Sequence, residues 1–152
     1  MQKEILQNIL EQNRTTSSFA FGKITNENAD FRLNEKASSA GFIYRHIGET
    51  INLFGIFFGI PTDIENTTMG ETEIGQGHNL AESEKLVEKG FEMLHKLVEN
   101  TPDADWLEPI DTPFFGTIPR IRLFAHILFH TSSHAGQISL ILAKGKKYRN
   151  NG

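Results

Sequence analysis

Apolar residues recur at helical spacing in four stretches of the chain, and nowhere does a period of two persist. Over Lys3–Phe21 the positions Ile5, Leu6, Ile9, Leu10, Phe19 and Ala20 make one stripe, with a polar middle at Asn13–Ser17. A second helix is predicted from about Ala37, capped by Asn34 or Ser38, to Phe58, where Gly59 and Pro61 stop it. Its inner stripe is Ala40, Ile43, Ile47, Thr50, Phe54 and Phe57, and His46 borders that stripe. Asn79 and Glu82 form a capping-box pattern for a third helix over Leu80–Glu99, with Leu86, Val87, Phe91, Leu94, Leu97 and Val98 turned inward. The last helix is predicted with Thr117 as cap and Pro119 in its first turn, running to Ala143 and ending at Gly145. It is apolar on nearly every side (Ile121, Phe124, Ile127, Leu128, Phe129, Ile138, Leu140, Ile141, Leu142), which predicts a central helix.

The pattern therefore predicts an all-α protein, a four-helix bundle with long connecting loops, as a single domain over residues 1–152. Two of the connections are long, at roughly 20 residues each, a length that in a compact domain points to function or to a crossover at a bundle end. The first, PTDIENTTMGETEIGQGH, holds a GQG that is no nucleotide fingerprint, since no strand precedes it. The second holds Trp106, Phe114 and Phe115, which read as a hydrophobic cover over a bundle end or as a lid.

Composition narrows the function classes. The formal charge is −4 with both signs interspersed and no basic run of the kind that binds a phosphate backbone, so nucleic acid is not expected as a partner. The short basic tail KGKKYRN reads as a solvated terminus at a helix end, where cations are favoured. The absence of cysteine rules out disulfides, thiolate metal sites and a Cys nucleophile. The N-terminus lacks the pattern of a signal peptide, and the most apolar run, INLFGIFFGI, is too short to span a bilayer. No membrane partner is expected, and a cytoplasmic location is.

The chemistry sits in HILFHTSSHAGQ, where His126, His130 and His134 are each four residues apart. Four residues along a helix advance a side chain by about 6 Å and about 40° around the axis, so His130 and His134 project side by side. That is the spacing at which one helix offers two imidazoles to one metal ion. His46 on a second core helix supplies a third, leaving positions for water or substrate. The competing reading is a set of core histidines hydrogen-bonded to one another. Glu49, three residues after His46, reads as a general acid or base, a fourth ligand, or an exposed helix carboxylate. Gln137, three after His134, continues the polar row. Ser132 and Ser133 point to other faces and lack the context of a nucleophile. His78 and His95 read as surface residues, with His78 able to reach a site from its loop.

RHIGE at 45–49 together with HTSSHAGQI at 130–138 resembles the DinB/YfiT-like superfamily of metalloenzyme candidates, over essentially the whole chain. The resemblance implies a divalent metal, nickel or zinc, held by His46, His130 and His134, and relatives that are often homodimers. It further implies thiol-dependent transfer or isomerisation, in which a metal-bound low-molecular-weight thiol attacks an electrophile. Glu49 would then act as a proton shuttle, and Gln137 would hold a ligand or the bound nucleophile by a hydrogen bond. Many relatives carry Arg where this chain has Ala135, so no particular substrate carries over. A related metal-hydroxide hydrolase is the variant within the enzyme class. A non-catalytic metal-binding stress-response protein is the alternative outside it.

Overall fold

The computed structural model describes residues 1–148, and the end of the basic tail lies outside the described residues. Four helices carry the fold: α1 (Gln2–Phe21), α2 (Ala40–Phe54), α3 (Leu80–Asn100) and α4 (Arg120–Lys144). Helix α1 packs against α3 and α4, and α2 packs against the same two, so α1 and α2 lie diagonally across the bundle. The protein is an all-α helical bundle.

Helix ends depart from the expected caps in instructive ways. Ser39, rather than Asn34 or Ser38, caps α2, its hydroxyl accepting from the Phe42 amide. Asn34 instead closes a turn of its own, accepting from the amides of Lys36 and Ala37. Helix α2 stops at Phe54 and tightens into a 3-10 turn over Gly55–Phe58, which Gly59 ends with φ of 81°, a conformation open to glycine. Asn79 caps α3 by accepting from the Glu82 amide. Thr117 does not cap α4. It lies in a strand, and Pro119 occupies the capping position without a side-chain bond.

That strand belongs to a hairpin which the sequence pattern does not predict. Strand β1 (Pro109–Thr112) pairs antiparallel with β2 (Gly116–Pro119), and Ile110 opposite Ile118 turns inward. Only two residues of the eight in these strands are large and apolar, too few to stand out as a period. Trp106, on a 3-10 turn over Asp103–Leu107, packs edge-on against Phe124 beneath it.

The central helix is α2, not α4. Twelve of the fifteen α2 residues are buried, against eight of the twenty-five in α4. Helix α4 leaves Phe129 and Leu140 exposed on its outer side, 68% and 51%. Close packing around α2 depends on missing side chains: a Cβ at Gly48 would lie 2.7 Å from Leu86 Cβ, and one at Gly90 2.7 Å from Ile51 Cγ2. The tail after α4 is tied down where it is described. Lys146 exchanges both backbone hydrogen bonds with Arg32, and the Tyr148 hydroxyl donates to the Leu33 carbonyl.

Candidate metal centre

Helices α2 and α4 run antiparallel along one another, so His126 meets Phe54 at one end and His46 meets His130 and His134 in the middle. His130 and His134 project together because they are one turn apart on α4. His46 reaches them from 84 residues earlier because Ile43, Ile47 and Ile51, on the flank of α2 beside it, are buried in the core. The Nε2 atoms of His46 and His134 each lie 3.1 Å from Nε2 of His130, and the ligand atoms of all three fall within 4.8 Å of one another.

The hydrogen-bond partners of the outer ring nitrogens define the tautomers. Thr68 donates its hydroxyl to Glu49 Oε2 at 2.7 Å, so its oxygen lone pair accepts from His46 Nδ1–H at 3.2 Å. Gln137 Oε1 accepts from His134 Nδ1–H at 2.6 Å. In both rings the Nε2 lone pair is thereby turned toward the shared centre. His130 Nδ1 is buried without a partner.

Burial disfavours the charged form of two of the rings. The imidazole of His46 is pushed down to about 4, first by burial and then by His134. That of His130 is pushed down to about 3 by burial, then by His134, His46 and His126. The Nε2 lone pairs of His46 and His134 both face Nε2 of His130, whose single N–H can satisfy only one of them, so the arrangement favours a positive group among the three rings. A divalent ion fits that requirement, since cis donors at about 2.0–2.1 Å from one ion lie roughly 2.9–3.4 Å apart. The donor set suits zinc or nickel and does not choose between them.

Glu49 is neither exposed nor among the metal-ligand cluster. It is completely buried, and its carboxylate accepts from the Thr67 amide at 2.9 Å, the Thr67 and Thr68 hydroxyls, and Arg45 Nε at 2.7 Å. Burial alone would raise its pKa, but the bonds from Thr67, Thr68 and Arg45 hold it below the usual carboxylate value. Its contact with the centre runs through Thr68.

Thr67 and Thr68 escaped sequence reading. Two threonines in a polar loop carry no signal of their own; the one hint was Arg45, one turn before Glu49, which marks the carboxylate as paired. The loop that presents them is held on α2 by Glu73, which accepts from Ser39 and pairs with Arg32 at 2.9 Å. His78 pairs with Asp30 at 3.0 Å, away from the triad, and His95 is exposed on α3. His126 stays out of the cluster, its ring centre 6.2 Å from that of His130. A cleft of about 470 Å³ opens beside His46 and His134, its lining including apolar Leu33, Phe42 and Ile141 and polar Thr68, Glu71 and Gln137.

Comparison with known proteins agrees with this architecture. A solved structure described as a DinB-like protein from Bacillus cereus ATCC 10987 superposes with a TM-score of 0.69 at 17% identity, over 95% of this chain and 96% of that one. No curated protein matches. The family model of the DinB superfamily matches residues 9–138, a span that includes both histidine-bearing helices from end to end of the triad, and the chain belongs to that superfamily.

Proposed function

We propose that the protein is a metal-dependent enzyme that uses His46, His130 and His134 to hold a divalent ion, nickel or zinc, and transfers a low-molecular-weight thiol to an electrophile. The observation that carries the reading is the convergence of three imidazole nitrogens beside an open cleft. A structural site closes around its ion with four protein ligands, whereas three leave room for a reactant. When bound, the ion would lower the pKa of a thiol or water at its open position and so supply a nucleophile near neutral pH.

The chain's own residues have distinct tasks in this scheme. Thr68 and Gln137 orient the rings of His46 and His134 through their Nδ1 atoms. Glu49 fixes Thr68 and, saturated with donors, serves as an anchor rather than as a carrier of protons. The cleft orients the rest of the reactant against Phe42 and Ile141. A hydrolase that activates water is the variant within the same mechanism. The reading also includes a cytoplasmic location and a homodimer formed by the outer faces of α1 and α4, where Ile5, Ile9, Phe19, Phe129 and Leu140 are exposed.

The test is a thiol-transfer assay on metal-loaded protein with several thiols and an electrophilic acceptor, set against His46→Ala. Rates equal in the two proteins overturn the mechanism. Bound metal with no turnover favours the non-catalytic metal-binding protein.

A further inference from the structure

One turn before His130, helix α4 carries His126 into a cluster of four phenylalanines. Its ring lies 4.7 Å, edge-on, from Phe115 and 6.0 Å, stacked, from Phe54. Phe114 stacks on Phe54 at 5.3 Å and meets Phe57 edge-on at 5.9 Å. These rings make a wall that begins 6.2 Å from the His130 ring and continues the row of the triad away from the cleft.

The wall is rigid and yet open. Thr112 locks the hairpin tip by accepting from the Phe115 amide and donating to the Gly116 carbonyl, each at 3.0 Å. Ile110, Ile118 and Trp106 root the hairpin in the core. Despite that anchoring, Phe114 and Phe115 remain 51% and 42% exposed. Folding gains nothing from holding two rings half in water. A preformed surface of this kind gains energy when a further ring joins it, by offset or edge contacts.

Resting on the metal reading above, we infer that this wall receives an uncharged aromatic group of the molecule bound at the triad. Phe114, Phe115 and His126 then determine specificity by packing, while the cleft on the other side of the triad holds the remainder.

The full chain loaded with cobalt(II) tests this by binding alone. Benzyl mercaptan, ethanethiol and thiocholine are titrated, and the thiolate-to-cobalt absorption band reports each affinity. Benzyl mercaptan binds about tenfold tighter than ethanethiol if an added ring packs as aromatic pairs do. In the variant Phe114→Leu/Phe115→Leu, which keeps apolar bulk and is checked by circular dichroism, that preference falls to within about threefold while ethanethiol is unaffected. Equal affinities in the parent protein, or a preference that survives in the variant, overturns the inference. Tightest binding of thiocholine overturns it too, in favour of a cation site. Failure to take up cobalt removes the metal reading and the inference with it. Binding with the expected preference but no thiol transfer refutes the transferase and leaves the wall standing.

Discussion

The carboxylate of Glu49 and the imidazole of His46 meet only through a shared hydroxyl: Thr68 donates to Glu49 at 2.7 Å and accepts from His46 at 3.2 Å. The direction of the chain is forced, because an ionised carboxylate can only accept. It leaves the hydroxyl lone pair for Nδ1–H and so turns the Nε2 lone pair of His46 toward its partners. Thr68→Val, of similar shape, removes the link. Metal affinity is expected to fall by about 10–100-fold, the usual effect of losing such a partner. Competition with a chromophoric chelator measures it, and an unchanged affinity would mean that the hydroxyl serves Glu49 alone.

Glu49 itself is predicted to matter first for stability. Glu49→Gln replaces an acceptor of four bonds with a group that presents its own N–H donors to Thr67, Thr68 and Arg45. Arg45, mostly buried, keeps the half-exposed Glu82 at 3.2 Å as its one anionic partner, with the Thr67 hydroxyl at 3.2 Å from its Nε. Breaking a buried pair in this way costs about 3 kcal/mol. Urea denaturation reads it as a lower midpoint at constant slope. A proton shuttle would instead lose activity with little change in midpoint.

Chelation gives the test of occupancy. An ion bound to the folded state and not to the unfolded chain adds about 4 kcal/mol when present at a thousand times its Kd. Removing it with a chelator is expected to lower the melting temperature of the parent protein. His130→Ala should melt at one temperature with or without chelator, since its loss leaves only two ligands. A parent protein whose melting is indifferent to chelator, and which holds no metal by elemental analysis, would contradict the metal site.

Acid should act on the same rings. The folded values of His46, about 4, and His130, about 3, lie below the ordinary 6.5, so the unfolded chain binds more protons between those limits. Stability therefore rises with pH across this window. In metal-free protein the histidine contribution is complete above about 6.5 and is lost progressively as the pH falls toward 4 and then 3. The depressed value of Glu49 works at lower pH, its contribution fading as pH falls below the ordinary 4.5. Equilibrium unfolding at a series of pH values should show the decline beginning well above the carboxylate range. His130→Phe should flatten the part between 6.5 and 4, and an equal slope in that variant would reject the assignment.

How far the sequence could be read follows from where each signal resides. Helix existence and the pairing of His130 with His134 are properties of spacing along one segment, and both were legible. The choice of α2 as the central helix was not, because burial depends on which faces neighbours cover, and an apolar Phe129 or Leu140 can still face outward. The hairpin was invisible because its strands are four residues each and root themselves with one isoleucine apiece. Thr68 was unreadable for a different reason: its role arises from a loop that returns to α2 22 residues after His46, a distance no local pattern encodes.

Gly48 offers the last prediction, because it joins packing to the site. It lies two residues after His46 on α2, and a Cβ there would stand 2.7 Å from Leu86 Cβ and 3.0 Å from the Val87 amide nitrogen on α3. Neither neighbour can yield, since one is a side-chain root and the other is backbone. Gly48→Ala gains in helix propensity by about 1 kcal/mol, while overpacking of a tight core costs about 1–3 kcal/mol. The net effect is expected to be destabilising, and α2 should move away from α3 to relieve the contact. Such a shift carries His46 with it, and a displacement of a few tenths of an ångström alters the spacing of the three nitrogens. Metal affinity should therefore fall although no ligand and no partner of a ligand has been changed. Chelator competition and thermal melting on the same variant separate the two effects: lower melting with unaltered affinity would show that α3 moves and that α2 is held in place by α4.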